Sequence, residues 1–486
     1  MPGEPGPPAG SGRGGPVSPG LWRDADFRRL WAGQTASQFG ERTGQVVLPL
    51  IAVLALDAGA TELGALRALE QAPVLLLSLL AGAWVDRRRA RDVMMAADLG
   101  RALALAVLPC AYLLGVLGFP TLVAVALLVG VLSVFFDVAY QASLVRLVRR
   151  DQLTQGNSAL EGSRSAAQIG GPALGGALVS LLSAPVAAAA GACCFALSYL
   201  SVRRIRRPES MSEGADSDAT APRVGTTNVA ECPPTEDDHA ANADDPATGR
   251  HATNADGPAA GVAARGQPSH LWQRIGAGLR FVAGDASLRA VGLASAAFQF
   301  SFAALMTVYL LFLPRELHLS GTGVGLALAA TGPGAVAGSL LAGWLPRRYG
   351  YGVVLVAAAV LADGVLLCVP ALHGSTAATV VLLMGINFLF GTFSQLVNVT
   401  VMAVRQAVTP VPLQARVVAT INCAGLGLAP LGSLLGGRLA DQWGLRAALL
   451  VTAAGLSLSP LVMCLSPLAR LGKSLPGEHS RLYEYE

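Results

Sequence analysis

Ten ionisable side chains stand inside long apolar stretches of this 486-residue chain, where a charge is costly. Asp363 is the only one in the second half. The nine in the first half are Glu41, Arg42, Arg67, Glu70, Asp98, Arg101, Asp137, Glu161 and Arg164. Within a bilayer each charge costs about 2.5–3.5 kcal/mol on insertion scales, so each needs a partner or a purpose. The chemistry open to such carboxylates is proton uptake, because a poorly solvated carboxylate favours its neutral form.

Most of these groups have a partner on the same helix face. Residues spaced three apart are neighbours on a helix, and three oppositely charged pairs have this spacing. They are Arg67/Glu70, Asp98/Arg101 and Glu161/Arg164. Mutual neutralisation accounts for such pairs without further chemistry.

Asp137 has no basic residue within one helical turn. We expect either Asp137 or Glu41 to carry a proton, with Arg42 or Arg101 tuning it and Asp98 as a further candidate. The alternative is a buried ion pair that fixes helix packing.

The elements that position these groups are membrane helices. Hydrophobic residues make up 53% of the chain and charged residues 14%, whereas soluble domains carry about 25% charged residues. A membrane-spanning helix needs about 20 apolar residues. The sequence predicts twelve spans, at about 29–56, 63–85, 92–117, 120–145, 157–182, 184–202, 288–314, 322–345, 351–372, 376–404, 414–437 and 444–467. This composition excludes a water-soluble enzyme.

Arginine clusters fall in alternate connections between the spans, and positive loops face the cytoplasm. We therefore expect both termini to be cytoplasmic, in a multi-pass protein of the inner (plasma) membrane. The predicted organisation is a disordered tail at 1–25, a six-helix bundle at 26–203, a disordered linker at 204–270, a second bundle at 271–467 and a tail at 468–486.

An internal repeat relates the two halves at a constant offset of 261 residues. Gln38-Phe39 aligns with Gln299-Phe300, and Ser78–Gly82 aligns with Ser339–Gly343. Three glycines of span 5 align with three of span 11. The sequence thus predicts an all-α membrane protein of twelve transmembrane helices in two pseudo-symmetric bundles, with a site at their interface near mid-bilayer.

The segment Gly82-Ala83-Trp84-Val85-Asp86-Arg87, with Arg91 beyond it, resembles the loop 2–3 motif of the major facilitator superfamily. It departs from that motif at Arg89, where a glycine is usual. The resemblance implies the major facilitator fold and a cytoplasmic gate formed by Gly82, Asp86, Arg87, Arg91 and Arg146. In this gate Asp86 would meet the N-terminal end of span 11, where the helix dipole favours negative charge.

Further segments resemble one branch of that superfamily, which holds enterobactin-type siderophore exporters and macrolide-efflux-like proteins. They are Phe27–Trp31, Phe136-Asp137, Gly171–Gly176 and Arg405-Gln406. The resemblance implies proton-driven efflux of a small organic molecule by antiport, as in antibiotic resistance. A proton-coupled importer of a small nutrient is the alternative.

Two further sets of residues complete the predicted site. The cavity candidates are Gln38, Phe298, Phe300, Phe302, Asn387, Phe388 and Asn398. Aromatic and amide groups of this kind suit an amphipathic organic substrate. The residues expected to allow close helix packing are Gly171, Pro172, Gly175, Gly176, Gly432, Gly436 and Gly437.

Other function classes lack their motifs. The chain has no HExxH, GxSxG or GxxxxGK[ST] segment, so we expect neither an enzyme nor an ATP-driven pump. We expect no cofactor, no metal site and no nucleic-acid partner. The expected partners are a small-molecule substrate, a coupling ion (a proton) and the lipid bilayer, with the monomer as the functional unit.

Overall fold

The computed structural model describes residues 21–85, 88–147, 153–205, 280, 283–409, 414–470 and 472. These residues are almost entirely helical. The long helices are α1 (Ala25–Leu50), α2 (Ala60–Val85), α3 (Ala90–Leu113), α4 (Phe119–Leu147), α5 (Leu153–Leu181), α6 (Ala184–Arg203), α7 (Ala286–Arg315), α8 (Gly321–Ala329 and Thr331–Ala342), α9 (Tyr351–Leu366), α10 (Ala377–Val408), α11 (Gln414–Trp443) and α12 (Leu445–Leu456 and Leu458–Cys464). Among the described residues, eight helices are long and apolar enough to cross a membrane.

Each predicted span corresponds to one of these helices, so the predicted all-α fold of twelve membrane helices is confirmed. The bounds differ where local signals were weak. Helix α1 begins at Ala25, capped by the Asp24 carboxylate, which accepts a hydrogen bond from the Asp26 N–H. Beyond Pro49 the helix widens into a π-helical turn, Ile51–Ala55. Helix α11 continues to Trp443, six residues past its predicted end.

The two halves have equivalent packing. In the first half, α1 packs on α5 and α6, α2 on α4, and α3 on α4 and α6. In the second half, α7 packs on α11 and α12, α8 on α10, and α9 on α10 and α12. These are the same pairs under the internal repeat. All twelve helices belong to one unit, and the other unit, Ser210–Trp272, lies outside the described residues together with nearly all of the predicted linker.

The halves meet along two helix pairs, α2 with α11 and α5 with α8, which the repeat also interchanges. A Cβ atom added to Gly176 would lie 2.5 Å from the Cα of Gly325, and one added to Gly437 would lie 3.1 Å from the Cα of Gly64. The two contacts are related by the 261-residue offset. Glycine is required at these positions because the backbones approach too closely for any side chain.

Candidate functional site: a charged cavity between the two halves

A cavity of about 440 Å³ lies midway along the helices, between the two halves. The first half supplies most of its wall, from α1, α2, α3, α4 and α6, and the second half supplies α7 and α11. Its polar lining residues are Glu41, Gln45, Arg67, Glu70, Gln71, Ser133, Asp137 and Gln299. Its position matches the mid-bilayer site expected at the interface of a duplicated transporter fold.

Three carboxylates from three helices face this cavity: Glu41 of α1, Glu70 of α2 and Asp137 of α4. Glu41 and Asp137 are two of the predicted proton-coupling residues, and the fold brings them to one space although 95 positions separate them. Asp137 is accessible within the cavity, deep inside the bundle. It interacts electrostatically with Glu41 and with the guanidinium groups of Arg101, Arg164 and Arg42.

Two arginines accompany the carboxylates. Arg67 lines the cavity three residues before Glu70, and their charges attract. The Arg42 guanidinium donates a hydrogen bond to the amide oxygen of Gln45, at 3.1 Å, and Gln45 is itself part of the wall.

Asp98 and Arg101, two more predicted coupling residues, form a fully buried ion pair beside the cavity, with 2.5 Å between Asp98 Oδ1 and Arg101 Nη2. Asp98 also accepts a hydrogen bond from Ser198, and Arg101 donates to Ser37 and Ser133. The Arg101 guanidinium lies over the rings of both Phe136 and Phe195, 4.3 Å from each ring centre. This arrangement joins α1, α3, α4 and α6 and favours packing over proton transfer.

The predicted cavity residues do not lie together in the structure. Of that set, only Phe302 is among the described lining residues. Its ring stacks on Phe298, 5.3 Å away, and on Phe390, 5.6 Å away. Gln38 is buried and Phe300 is half-buried, both outside the described lining. Phe388 and Asn398 are exposed on α10, also outside that lining.

Asn387, another predicted cavity residue, is buried. Its amide nitrogen donates to the Tyr309 hydroxyl at 2.7 Å and to the Leu383 carbonyl at 2.9 Å. Both side chains are almost wholly inaccessible. The pair therefore ties α7 to α10 within the second half, and Asn387 does not face the described cavity.

The α1–α2 end of the bundle, which also carries the α7–α8 and α11–α12 connections, is closed by polar contacts between the halves. Arg315 at the end of α7 donates 2.8 Å hydrogen bonds to the Asp57 carboxylate and to the Ala58 carbonyl. Thr61 donates to Asp441 through its backbone N–H at 3.2 Å and through its hydroxyl. Sequence reasoning missed these residues, because no local pattern links positions more than 250 residues apart.

The same end is closed on its other side. The Thr322 N–H at the start of α8 donates to the Ser180 hydroxyl of α5 at 2.5 Å. The glycine contacts of α5 with α8 and of α11 with α2 lie one turn further in. Deeper still, Gln71 donates to Ser433 at 3.2 Å and borders the cavity. Contacts between the halves therefore extend from this end down to the site.

The predicted packing residues lie where the helices approach closely. In the first half, Gly171 and Gly175 of α5 contact the backbone of α1 at Arg42 and Thr43. In the second half, Gly432 and Gly436 of α11 contact the backbone of α7 at Phe300 and Ala304. Pro172 lies within α5, and its carbonyl faces Gly325 of α8.

Most of the predicted gate lies outside the described residues. This applies to Asp86 and Arg87, and the surroundings of Gly82 and Arg146 are likewise not described. Arg91 donates to the Arg203 carbonyl at 2.6 Å, which joins α3 to α6 within the first half.

The chain matches the model of a known protein family. The model of the Major Facilitator Superfamily matches residues 30–261 and 291–481. This match covers most of the chain, which therefore belongs to that superfamily of multi-pass membrane transporters for small molecules, and it is not an enzyme. No curated protein has a significant sequence match to the chain.

Solved structures share the fold at low sequence identity. A bacterial homologue of the iron transporter ferroportin, in an inward-facing state, is 17% identical with a TM-score of 0.62, covering 92% of this chain and 98% of that one. A bacterial homologue of the human lysosomal transporter Spinster is 13% identical with a TM-score of 0.61, covering 93% and 98%. The nucleoside transporter NupG is 13% identical with a TM-score of 0.63, covering 90% and 98%. At these identities the likeness concerns the fold alone.

Proposed function

We propose that this protein is a secondary active transporter that exports a small amphipathic organic molecule by alternating access, in exchange for protons. The observation that carries the proposal is the convergence of Glu41 and Asp137 on one cavity between the halves. Ionised carboxylates at that depth are energetically costly, so their presence indicates either a partner or a function. A group that alternates between charged and neutral forms can couple a proton to the movement of a substrate.

Alternating access requires an arrangement that opens to one face at a time. Contacts among α2, α11, α5 and α8 hold the α1–α2 end together. We assign this end to the outside of the cell, because arginine-rich connections occupy the other end. In this orientation the structure is closed to the exterior and both termini lie in the cytoplasm. The proposed location is the inner (plasma) membrane, and the proposed functional unit is the monomer.

The branch resemblance and the Gly-Pro-x-x-Gly-Gly segment, Gly171–Gly176, favour efflux over uptake. Import of a nutrient in symport with protons is the competing direction. Everted and right-side-out vesicles separate the two: export predicts proton-driven accumulation in everted vesicles, and import predicts it in right-side-out vesicles.

The first test compares small molecules in the medium of cells producing the intact protein and of cells producing Asp137→Asn. Export predicts at least one compound that is enriched outside the first cells and retained in the second. Asp92→Asn is the matched control, since Asp92 is exposed in the first turn of α3, away from the cavity. Identical media from all three cell lines would refute the proposal.

A further inference from the structure

The charges around the cavity do not balance. Glu41, Glu70 and Asp137 line it and contribute three negative charges when ionised. Arg67 lines it as well, and Arg42 adjoins it through Gln45. With all three carboxylates ionised and both arginines counted, the described residues around the cavity carry one net negative charge, and protonation of one carboxylate removes it.

The neighbouring ionic groups do not alter this balance. Asp98 and Arg101 neutralise each other in their buried pair. Arg164 also acts on Asp137, but it has its own carboxylate partner in Glu161 on α5, at 4.0 Å, so the two add no net charge. The second half adds no ionised group to the described lining, to which it contributes Gln299, Phe302, Ala303 and Ala429.

The wall from the second half carries no charged side chain among the described lining residues, and Phe302 is its aromatic member. The Phe302 ring stacks on Phe298 and Phe390, at interplanar angles of 10° and 12°, and these contacts hold it in place. The cavity thus sets a negatively charged wall on one side against an uncharged, mainly apolar wall on the other.

The carboxylates do not form a metal site. Within the described residues, no group of three or more His, Cys, Asp or Glu side chains is close enough to hold a metal ion. Ca²⁺ takes six to eight oxygen ligands and Mg²⁺ needs near-octahedral geometry. Carboxylates dispersed over α1, α2 and α4 therefore suit a ligand larger than a metal ion. A cavity of about 440 Å³ falls in the range of small-molecule sites.

We propose that the cavity binds a monovalent organic cation whose apolar or aromatic body rests on Phe302 while its charge faces the carboxylates of the first half. This inference rests on the proposed function and names the substrate class. It distinguishes the cavity from one for siderophores and other organic anions, which the net negative charge would repel.

Two ions of the same shape and opposite charge test the proposal: tetraphenylphosphonium and tetraphenylborate. Binding of each to the purified full chain in detergent is measured by equilibrium dialysis. We expect saturable binding of tetraphenylphosphonium and at least about tenfold weaker binding of tetraphenylborate, since one unit charge acts over a few ångströms in a low-dielectric site. Equal binding of the two ions, or no saturable binding of the cation, would overturn the inference.

Neutralising variants locate the binding. Glu41→Gln and Glu70→Gln are each expected to weaken tetraphenylphosphonium binding about tenfold. Glu62→Gln is the matched control, because Glu62 is exposed near the start of α2 and its Oε2 accepts from the Gly59 N–H. A single symmetric peak in size-exclusion chromatography identifies folded variants, and two target positions keep the test valid if one variant fails to fold. Unchanged binding in a folded cavity variant would contradict the inference.

Proteoliposomes separate this inference from the proposed function. If tetraphenylphosphonium binds through the carboxylates yet an imposed pH gradient moves no solute, the cation site stands and proton coupling fails. If the gradient drives neutral or anionic solutes while tetraphenylphosphonium neither binds nor moves, transport stands and the substrate class is wrong. Displacement of the bound cation by micromolar Mn²⁺ would also overturn the inference, because it would indicate a metal site.

Discussion

Gly176 of α5 and Gly325 of α8 hold the two halves in backbone contact at the α1–α2 end of the bundle. A Cβ atom on Gly176 would lie 2.5 Å from the Cα of Gly325. Gly437 and Gly64 repeat this relationship between α11 and α2. Two matching contacts of this kind let the halves close without side chains between them, and any rocking motion that opens this end must separate them.

Replacing Gly176 by valine should therefore open the α1–α2 end. The added branches cannot fit against α8, and overpacking costs about 1–3 kcal/mol. In a cysteine-free background, the reaction of a cysteine at Thr322 with a membrane-impermeant maleimide should become faster by about tenfold. Gly162→Val is the control on the same helix, since nothing lies within 4 Å of the Cβ position of Gly162. Equal reaction rates in the two variants would show that Gly176 does not hold this end closed.

Arg315→Gln should weaken the same closure from the side of α7. The variant loses the ion pair with Asp57, which is exposed and worth up to about 1 kcal/mol, and a hydrogen bond to Ala58. Double electron–electron resonance between spin labels at Glu62 and Thr322 should report a larger share of long distances. The ratio of open to closed molecules should rise about fivefold for a loss of 1 kcal/mol. Arg289→Gln, at the exposed start of α7, should leave the distribution unchanged. An unchanged distance distribution in Arg315→Gln would show that Arg315 does not help to close the α1–α2 end.

Asp98→Asn should destabilise the protein strongly, because it leaves Arg101 as an uncompensated buried charge. Breaking a buried pair costs about 3–5 kcal/mol. The thermal unfolding midpoint in detergent should fall by many degrees. Asp92→Asn, the same substitution six residues earlier on α3 but at an exposed position, should leave the midpoint nearly unchanged. Normal stability of Asp98→Asn combined with loss of proton-driven transport would instead assign Asp98 to coupling.

Tyr309→Phe should reduce stability without changing which solutes are transported. The substitution removes one of the two hydrogen-bond partners of the Asn387 amide nitrogen in a buried site, at a cost of about 1–3 kcal/mol. Tyr112→Phe, at an exposed position of α3, is the control for the loss of a hydroxyl. A changed substrate range in Tyr309→Phe would return Asn387 and its partner to the substrate site.

The helices and their equivalence under the repeat could be predicted because their signals are local. An apolar run bounded by arginines defines a span wherever it occurs, and the 261-residue register already aligned Gly176 with Gly437. The structure adds that their partners, Gly325 and Gly64, follow the same register.

The site could be predicted only in part. Depth in an apolar run singled out Glu41 and Asp137, which both line the cavity, but depth alone could not tell which helix face meets the cavity. Asn387 faces Tyr309 instead, and Glu70, expected simply to neutralise Arg67, lines the cavity beside it. These outcomes depend on how helices distant in sequence rotate against one another.

Measuring proton-driven transport by the Asp137→Asn variant tests directly whether Asp137 couples protons to export. Proteoliposomes holding the purified chain receive an imposed pH gradient and the compound that the comparison of media identifies. We expect Asp137→Asn to lose gradient-driven accumulation while it keeps passive exchange of that compound across the membrane, and Asp92→Asn to retain both. Undiminished gradient-driven accumulation in Asp137→Asn would show that Asp137 does not couple protons to export.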